Sequence, residues 1–181
     1  MTIGIASAWG VLMSASRFGE GAGPWRASAL AGSTDADIYT RARVAVGGLL
    51  ALNRNETMYY VATTDTAGAT LRSRCSYRIS ARPPPARWWS VTAYADDHFL
   101  FPNDERRYSL SGSQARLDAQ GRFNLVTGPV RPAGAADTAW LPTPGDRGLT
   151  FTLRLYNPAP ALAAAPATLE PPTIVAQAPC P

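Results

Sequence analysis

Between residues 57 and 156 the chain is built from short apolar runs that alternate with polar residues and are separated by glycine and proline. Successive side chains of a strand point to opposite faces, so such a run implies a strand with at least one side in a core. The most informative run is Trp88-Trp89-Ser90-Val91-Thr92-Ala93-Tyr94. It puts Trp88, Ser90, Thr92 and Tyr94 on one face and Trp89, Val91 and Ala93 on the other. Aromatic bulk on both faces predicts a strand covered on both, in the middle of a sandwich or closed barrel.

The same pattern predicts strands over 57–64, 75–80, 88–94 and 149–156, with shorter ones at 98–101 and 107–110. Residues 117–126 read as a hairpin around Asp118-Ala119-Gln120-Gly121, and Trp140-Leu141 stands just before the turn Pro142-Thr143-Pro144-Gly145. In the last strand Leu149, Phe151, Leu153 and Leu155 share one face, and Thr150, Thr152, Arg154 and Tyr156 the other. Upstream the period changes. Ile38, Ala42, Ala45, Leu49 and Leu52 recur at steps of four and three, which predicts a helix from Thr34 or Asp35 to Asn53. The expected fold is therefore mainly β: a jelly-roll-like β-sandwich preceded by one α-helix, occupying residues 34–158.

The flanks differ in kind. Residues 3–16 carry no charge, yet the run is shorter than the ~20 residues that cross a bilayer. It reads either as a truncated export signal or membrane anchor within residues 1–16, or as a short apolar element packed on the domain. The first alternative implies membrane association through the N-terminus and a periplasmic location, anchored to the inner membrane. Residues 17–33 are small and glycine-rich and read as a linker, and the Ala/Pro-rich residues 159–181 as an extended tail.

Charge changes this picture little. All 17 basic residues are arginine, against 13 acids, for a net charge of +4. They are scattered from Arg17 to Arg154 without the clustered stripe that nucleic acid requires, so no nucleic-acid partner is expected. A GC-rich genome accounts for arginine in place of lysine. The two cysteines, Cys75 and Cys180, form no C-x-x-C pair. Either they are unrelated thiols, or they form a disulfide that pins the tail and contributes on the order of 4 kcal/mol in the chain-entropy model.

Several segments taken in order carry a family resemblance. They are Asn53-Arg54-Asn55-Glu56 leading into Tyr59-Tyr60, Tyr77-Arg78-Ile79, the Trp88–Tyr94 run, and Phe101-Pro102-Asn103. Arg107-Tyr108-Ser109, Trp140-Leu141-Pro142 and Leu153-Arg154-Leu155-Tyr156-Asn157-Pro158 complete the set. From about Asp35 to Pro158 the chain resembles the bacterial domain of unknown function 1214 in its single-domain form. The resemblance implies a β-rich, jelly-roll-like domain, often following a second domain, and an exported or anchored envelope protein. It brings no established active site.

No nucleophile motif or phosphate-cradling glycine loop is present. His98 is the only histidine and stands beside Asp96 and Asp97, so these three read either as solvated turn residues or as an acid–base set. One histidine does not make a zinc site, and no metal or other cofactor is expected. The more informative set is polar and aromatic. If the faces carrying Thr92 and Tyr94 and carrying Arg154 and Tyr156 meet, they form a groove for a carboxylate, a phosphate or a sugar. Glu56 either joins that groove or closes it by pairing with Arg154 or Arg54. Two functions follow: a non-catalytic envelope domain that binds a small molecule or an envelope protein, or a hydrolase or carbohydrate-active enzyme using Glu56, Asp96 or Asp97 with His98.

Overall fold

The computed structural model describes residues 20–27, 36, 38, 41, 42, 45, 52, 53, 55–133, 139–177 and 180. The described chain is mainly β, in two sheets. The first has the order β1-β2-β3-β9-β5-β6 and the second β10-β4-β7-β8. The strands are β1 (Glu20–Ala22), β2 (Trp25–Ala27), β3 (Thr57–Ala62), β4 (Tyr77–Ala81) and β5 (Ala86–Ala95). They continue with β6 (Ser109–Ser111), β7 (Phe123–Gly128), β8 (Ala139–Pro142), β9 (Leu149–Pro158) and β10 (Thr173–Ala176).

The alternation in β5 and β9 sets the core. These are the two longest strands, 10 residues each, and they pair antiparallel from Ala86↔Pro158 to Ala95↔Leu149. Trp89, Val91 and Ala93 and, across the ladder, Phe151, Leu153 and Leu155 all point inward and are buried. Tyr77, Ile79, Phe123 and Leu125 of the second sheet meet them. Trp89 stacks on Phe123 with ring centroids 4.4 Å apart, and Tyr77 meets Phe151 edge-on at 6.3 Å. Two sheets packed through their alternating inner faces form a sandwich. The β7–β8 pair is parallel, which the antiparallel jelly-roll expectation does not include.

Trp88 departs from the expected cover on both faces. It is 39% exposed on the outer side of β5, beside Tyr156. The predicted hairpin over 117–126 is present, with a Leu117↔Phe123 bridge and Gly121 in the left-handed region at φ +71°.

The linker and the tail are built into the fold. Residues 20–27 form a hairpin that turns at Gly23 (φ +58°) and adds β2 to β3, burying Trp25 completely. After β9 the chain forms a short helix α1 (Pro160–Ala164) and a 3-10 turn at Pro166–Thr168, and then β10 completes the edge of β4. Leu162, Ala163, Leu169 and Ile174 are buried in the common core. The Ala/Pro composition hides these few large apolar side chains, whose burial outweighs the weak intrinsic order of the segment. Cys75, itself buried, is joined to Cys180 by a disulfide across 105 residues, with Cα atoms 4.9 Å apart.

At Ile38, Arg41, Ala42 and Ala45 the backbone is helical, as predicted, but Ile38, Ala45 and Leu52 are exposed. A period shows which side chains share a face, not what that face meets. Residues 1–16 and Leu49 lie outside the described residues. Among the described residues no helix is long and apolar enough to cross a membrane.

Candidate functional site

The outer face of the first sheet brings together most of the polar and aromatic residues singled out above. Arg154 on β9 stands opposite Tyr59 of β3 and Ser90 of β5. Its Nη1 donates to Thr92 Oγ1 at 3.1 Å and its Nη2 to Tyr94 Oη at 2.8 Å. The guanidinium carbon lies 5.4 Å from the Tyr94 ring centroid and 5.9 Å from that of Tyr59. These are outer distances for a cation–π contact, so the hydrogen bonds fix the group and the rings flank it. Next along the ladder, Tyr156 packs edge-on against Trp88 with centroids 5.1 Å apart.

The charge balance on this face is one-sided. Arg154 has no carboxylate partner among the described residues; neutral hydroxyls hold it. Glu56 is exposed at the entry to β3, and its carbonyl accepts from the Asn157 amide at 2.7 Å. It makes no ion pair with Arg154 among the described residues, so the structure does not bring it into the set, and Arg54 lies outside them. Burial raises the pKa of the Tyr59 phenol, and the nearby Tyr156 raises it further, against the opposing effects of Arg154 and a backbone hydrogen bond from Leu52. Tyr59 is thus a neutral phenol at physiological pH. In the sequence Tyr59 stands out only within the family resemblance and not as a site residue, because only the β3–β9 register sets it opposite Arg154.

The acids near His98 are arranged differently. Asp96 and Asp97 both pair with Arg147, at 3.2 and 2.5 Å, and Asp97 Oδ1 also accepts from the Phe99 amide. The hydrogen bond from Arg147 is the main reason the Asp97 carboxyl lies below its ordinary pKa. His98 is exposed in the turn with φ +66°. Glu56 sits level with Asn157 and Asp96 level with Gly148, so along the ladder they are roughly 30 Å apart at ~3.3 Å per residue. Glycoside hydrolysis needs two carboxyls within roughly 5–10 Å. Glu56 therefore forms no pair with Asp96, and Asp96 and Asp97 are both tied to one half-buried arginine.

Fold and site together define a mainly β, two-sheet domain closed by a disulfide, with an arginine that no described carboxylate balances on an aromatic sheet face. More particularly, the chain belongs to the family described as protein of unknown function (DUF1214), which it matches over residues 56–160. No curated protein matches it. Among solved structures, it is similar to the VPA0106 protein of Vibrio parahaemolyticus, with a TM-score of 0.67 and 20% identity over 98% of this chain. The chain spans 43% of the length of that protein. A putative uncharacterized protein from Burkholderia cenocepacia is similar at a TM-score of 0.49 and 17% identity, over 73% of this chain and 32% of its own length. At this identity the likeness to VPA0106 establishes the fold.

Proposed function

We propose that this is a non-catalytic binding domain of the bacterial envelope, located in the periplasm, that holds a small molecule or an envelope partner on the face around Arg154. One observation carries the proposal: a part-buried guanidinium, held by Thr92 and Tyr94, has no carboxylate to balance it among the described residues and is flanked by aromatic rings. Such a group takes a carboxylate or phosphate, while Tyr59, Tyr156 and Trp88 offer flat surfaces for the apolar side of a ring. The disulfide supports the compartment, since such bonds persist where the surroundings are oxidising. The uncharged residues 3–16 are in keeping with an export signal or inner-membrane anchor. Glu56 lies far from Asp96 and Asp97, and those two are both tied to Arg147, which supports a binder over a hydrolase.

The test is a thermal-shift screen of the oxidised chain and its Arg154→Met variant against sugars, organic acids and lipids. A ligand at a hundred times its Kd adds about 2.7 kcal/mol of stability, which is several degrees for a domain of this size. The expected result is a class of compounds whose shift is lost in Arg154→Met while the melting temperature of the free protein barely changes. A variant that melts far lower, in a screen without hits, would instead make Arg154 an internal lock of the sheet.

A further inference from the structure

On one side of the sandwich the edges of the two sheets come together. There β6 is the edge of the first sheet and β8 the edge of the second. Between them lies a cleft of about 340 Å³, in the lower part of the range of small-molecule sites. Three arginines line it from three separate segments: Arg107 before β6, Arg116 after it, and Arg131 in the connection that leads to β8. Leu110, Leu141 and Trp140 contribute its apolar part.

Two of these arginines, Arg107 and Arg131, are balanced only loosely by the described residues. Among the described residues, no acidic side chain lines the cleft. Arg107 has a loose pair with Glu105 at 3.5 Å, both partly exposed. Arg131 has no ion pair among the described residues; its guanidinium lies 5.9 Å from the centroid of the Trp140 ring. Gln114 accepts from Ser111 through its Oε1, which leaves its amide N–H groups as further donors on the wall. Asn124, by contrast, already donates to Asp118.

A second observation, independent of the arginines, points the same way. Trp140 is only 8% exposed, and its indole Nε1–H is buried without a hydrogen-bond partner among the described residues. Buried donors in folded proteins are nearly always paired, and an orphan beside a cationic cleft calls for an acceptor. Guanidinium groups recognise planar oxyanions, and an indole among leucines recognises a flat apolar body.

We infer that the cleft between β6 and β8 binds a small organic anion, a carboxylate or phosphate carried on a flat apolar ring. Arg131 and Arg107, with the Trp140 Nε1–H, take the anionic group, and Leu110, Leu141 and the face of the indole take the ring. This site is separate from the face around Arg154 and stands or falls without it.

The test uses the full oxidised chain at low salt with four probes: phenyl phosphate, benzoate, inorganic phosphate and phenol. Calorimetry gives the affinities, and ¹⁵N NMR follows the indole resonance that disappears in Trp140→Phe. Phenyl phosphate or benzoate should bind and move that resonance, with phenol and inorganic phosphate much weaker. Arg131→Met, an exposed change that leaves the core intact, should weaken binding about tenfold or more, as loss of a charge-assisted pair does. Arg78→Met, an exposed arginine on β4 bonded to Gln177, controls for net charge and should leave the affinity nearly unchanged. Three results would overturn the inference: no binding of either ring-bearing anion, inorganic phosphate binding as tightly as phenyl phosphate, or Arg78→Met costing as much as Arg131→Met.

Discussion

The indole Nε1–H of Trp25 donates to the carbonyl oxygen of Pro172 at 2.7 Å, inside the core and across 147 residues of sequence. Near both ends of the described chain, then, β2 and the approach to β10 are tied to one another. Tyr60 makes a parallel link, its hydroxyl donating to the Pro166 carbonyl at 2.9 Å. Trp25→Ala removes both a fully buried ring and this donor, and the expected loss is about 3–5 kcal/mol. Trp25→Phe keeps most of the volume but leaves the Pro172 oxygen unpaired, for about 1–3 kcal/mol. Urea unfolding should show both as lower midpoints, with Ala well below Phe. Equal, small effects would mean that the indole is not part of the cooperative core.

The segment after β9 follows the same logic. Leu162, Leu169 and Ile174 are buried, and each contributes about 1.5–3 kcal/mol. Their sum approaches the roughly 5–15 kcal/mol that separates folded from unfolded for a whole domain. Deleting residues 159–181 should therefore abolish cooperative unfolding, as monitored by near-UV circular dichroism. Reducing the Cys75–Cys180 disulfide in the full chain should be milder, with about 4 kcal/mol lost while the fold persists. A truncated chain that melts like the intact one would return this segment to the status of a tail.

Asp146 should make stability depend on pH in a specific direction. Its carboxylate pairs with Arg72 and Arg74, each at 2.9 Å, and the hydrogen bond from Arg72 is the main cause of its lowered pKa. Because the folded value lies below the ordinary 3.8, the contribution is fully present above 3.8. It is lost as pH falls through the lower folded value. The pair is exposed, so the effect is small and weakened by salt. Asp146→Asn should melt below the wild type from neutral pH down to mildly acidic pH, and the gap should close as the pH falls below the ordinary carboxyl value. A gap of constant size across that range would assign the loss to packing rather than charge.

What could be read from the residues depended on how local the deciding interaction is. Trp89, Val91 and Ala93 point inward as the alternation requires, because a strand's two-residue period is local. Thr92, Tyr94 and Arg154 meet because two such periods happen to pair in the right register. The strands at 20–27 are too short to show a period, and only their pairing with β3 reveals them. β10 was hidden in the same way: its partner, β4, lies far back in the sequence, and proline and alanine dilute its apolar residues. Arg107, Arg116 and Arg131 are spread along the chain, so no charge run announces the cleft they share.

His98 offers a direct test of whether the turn after β5 is chemistry or geometry. Its φ of +66° lies in the left-handed region, which a β-branched residue enters at a cost of about 1–2 kcal/mol and asparagine enters readily. The turn is closed by His98 N donating to the Ala95 carbonyl and Ala95 N donating to Phe99, each at 2.9 Å. The imidazole itself is exposed. If the backbone alone sets the requirement, His98→Asn should match the wild type or gain a few tenths of a kcal/mol, and His98→Val should lose about 1–2 kcal/mol. Urea midpoints of the three proteins decide. An order of Asn, His, then Val makes the position a turn residue, whereas an Asn variant as unstable as Val would show that the imidazole ring holds the Asp96–Asp97 turn in place.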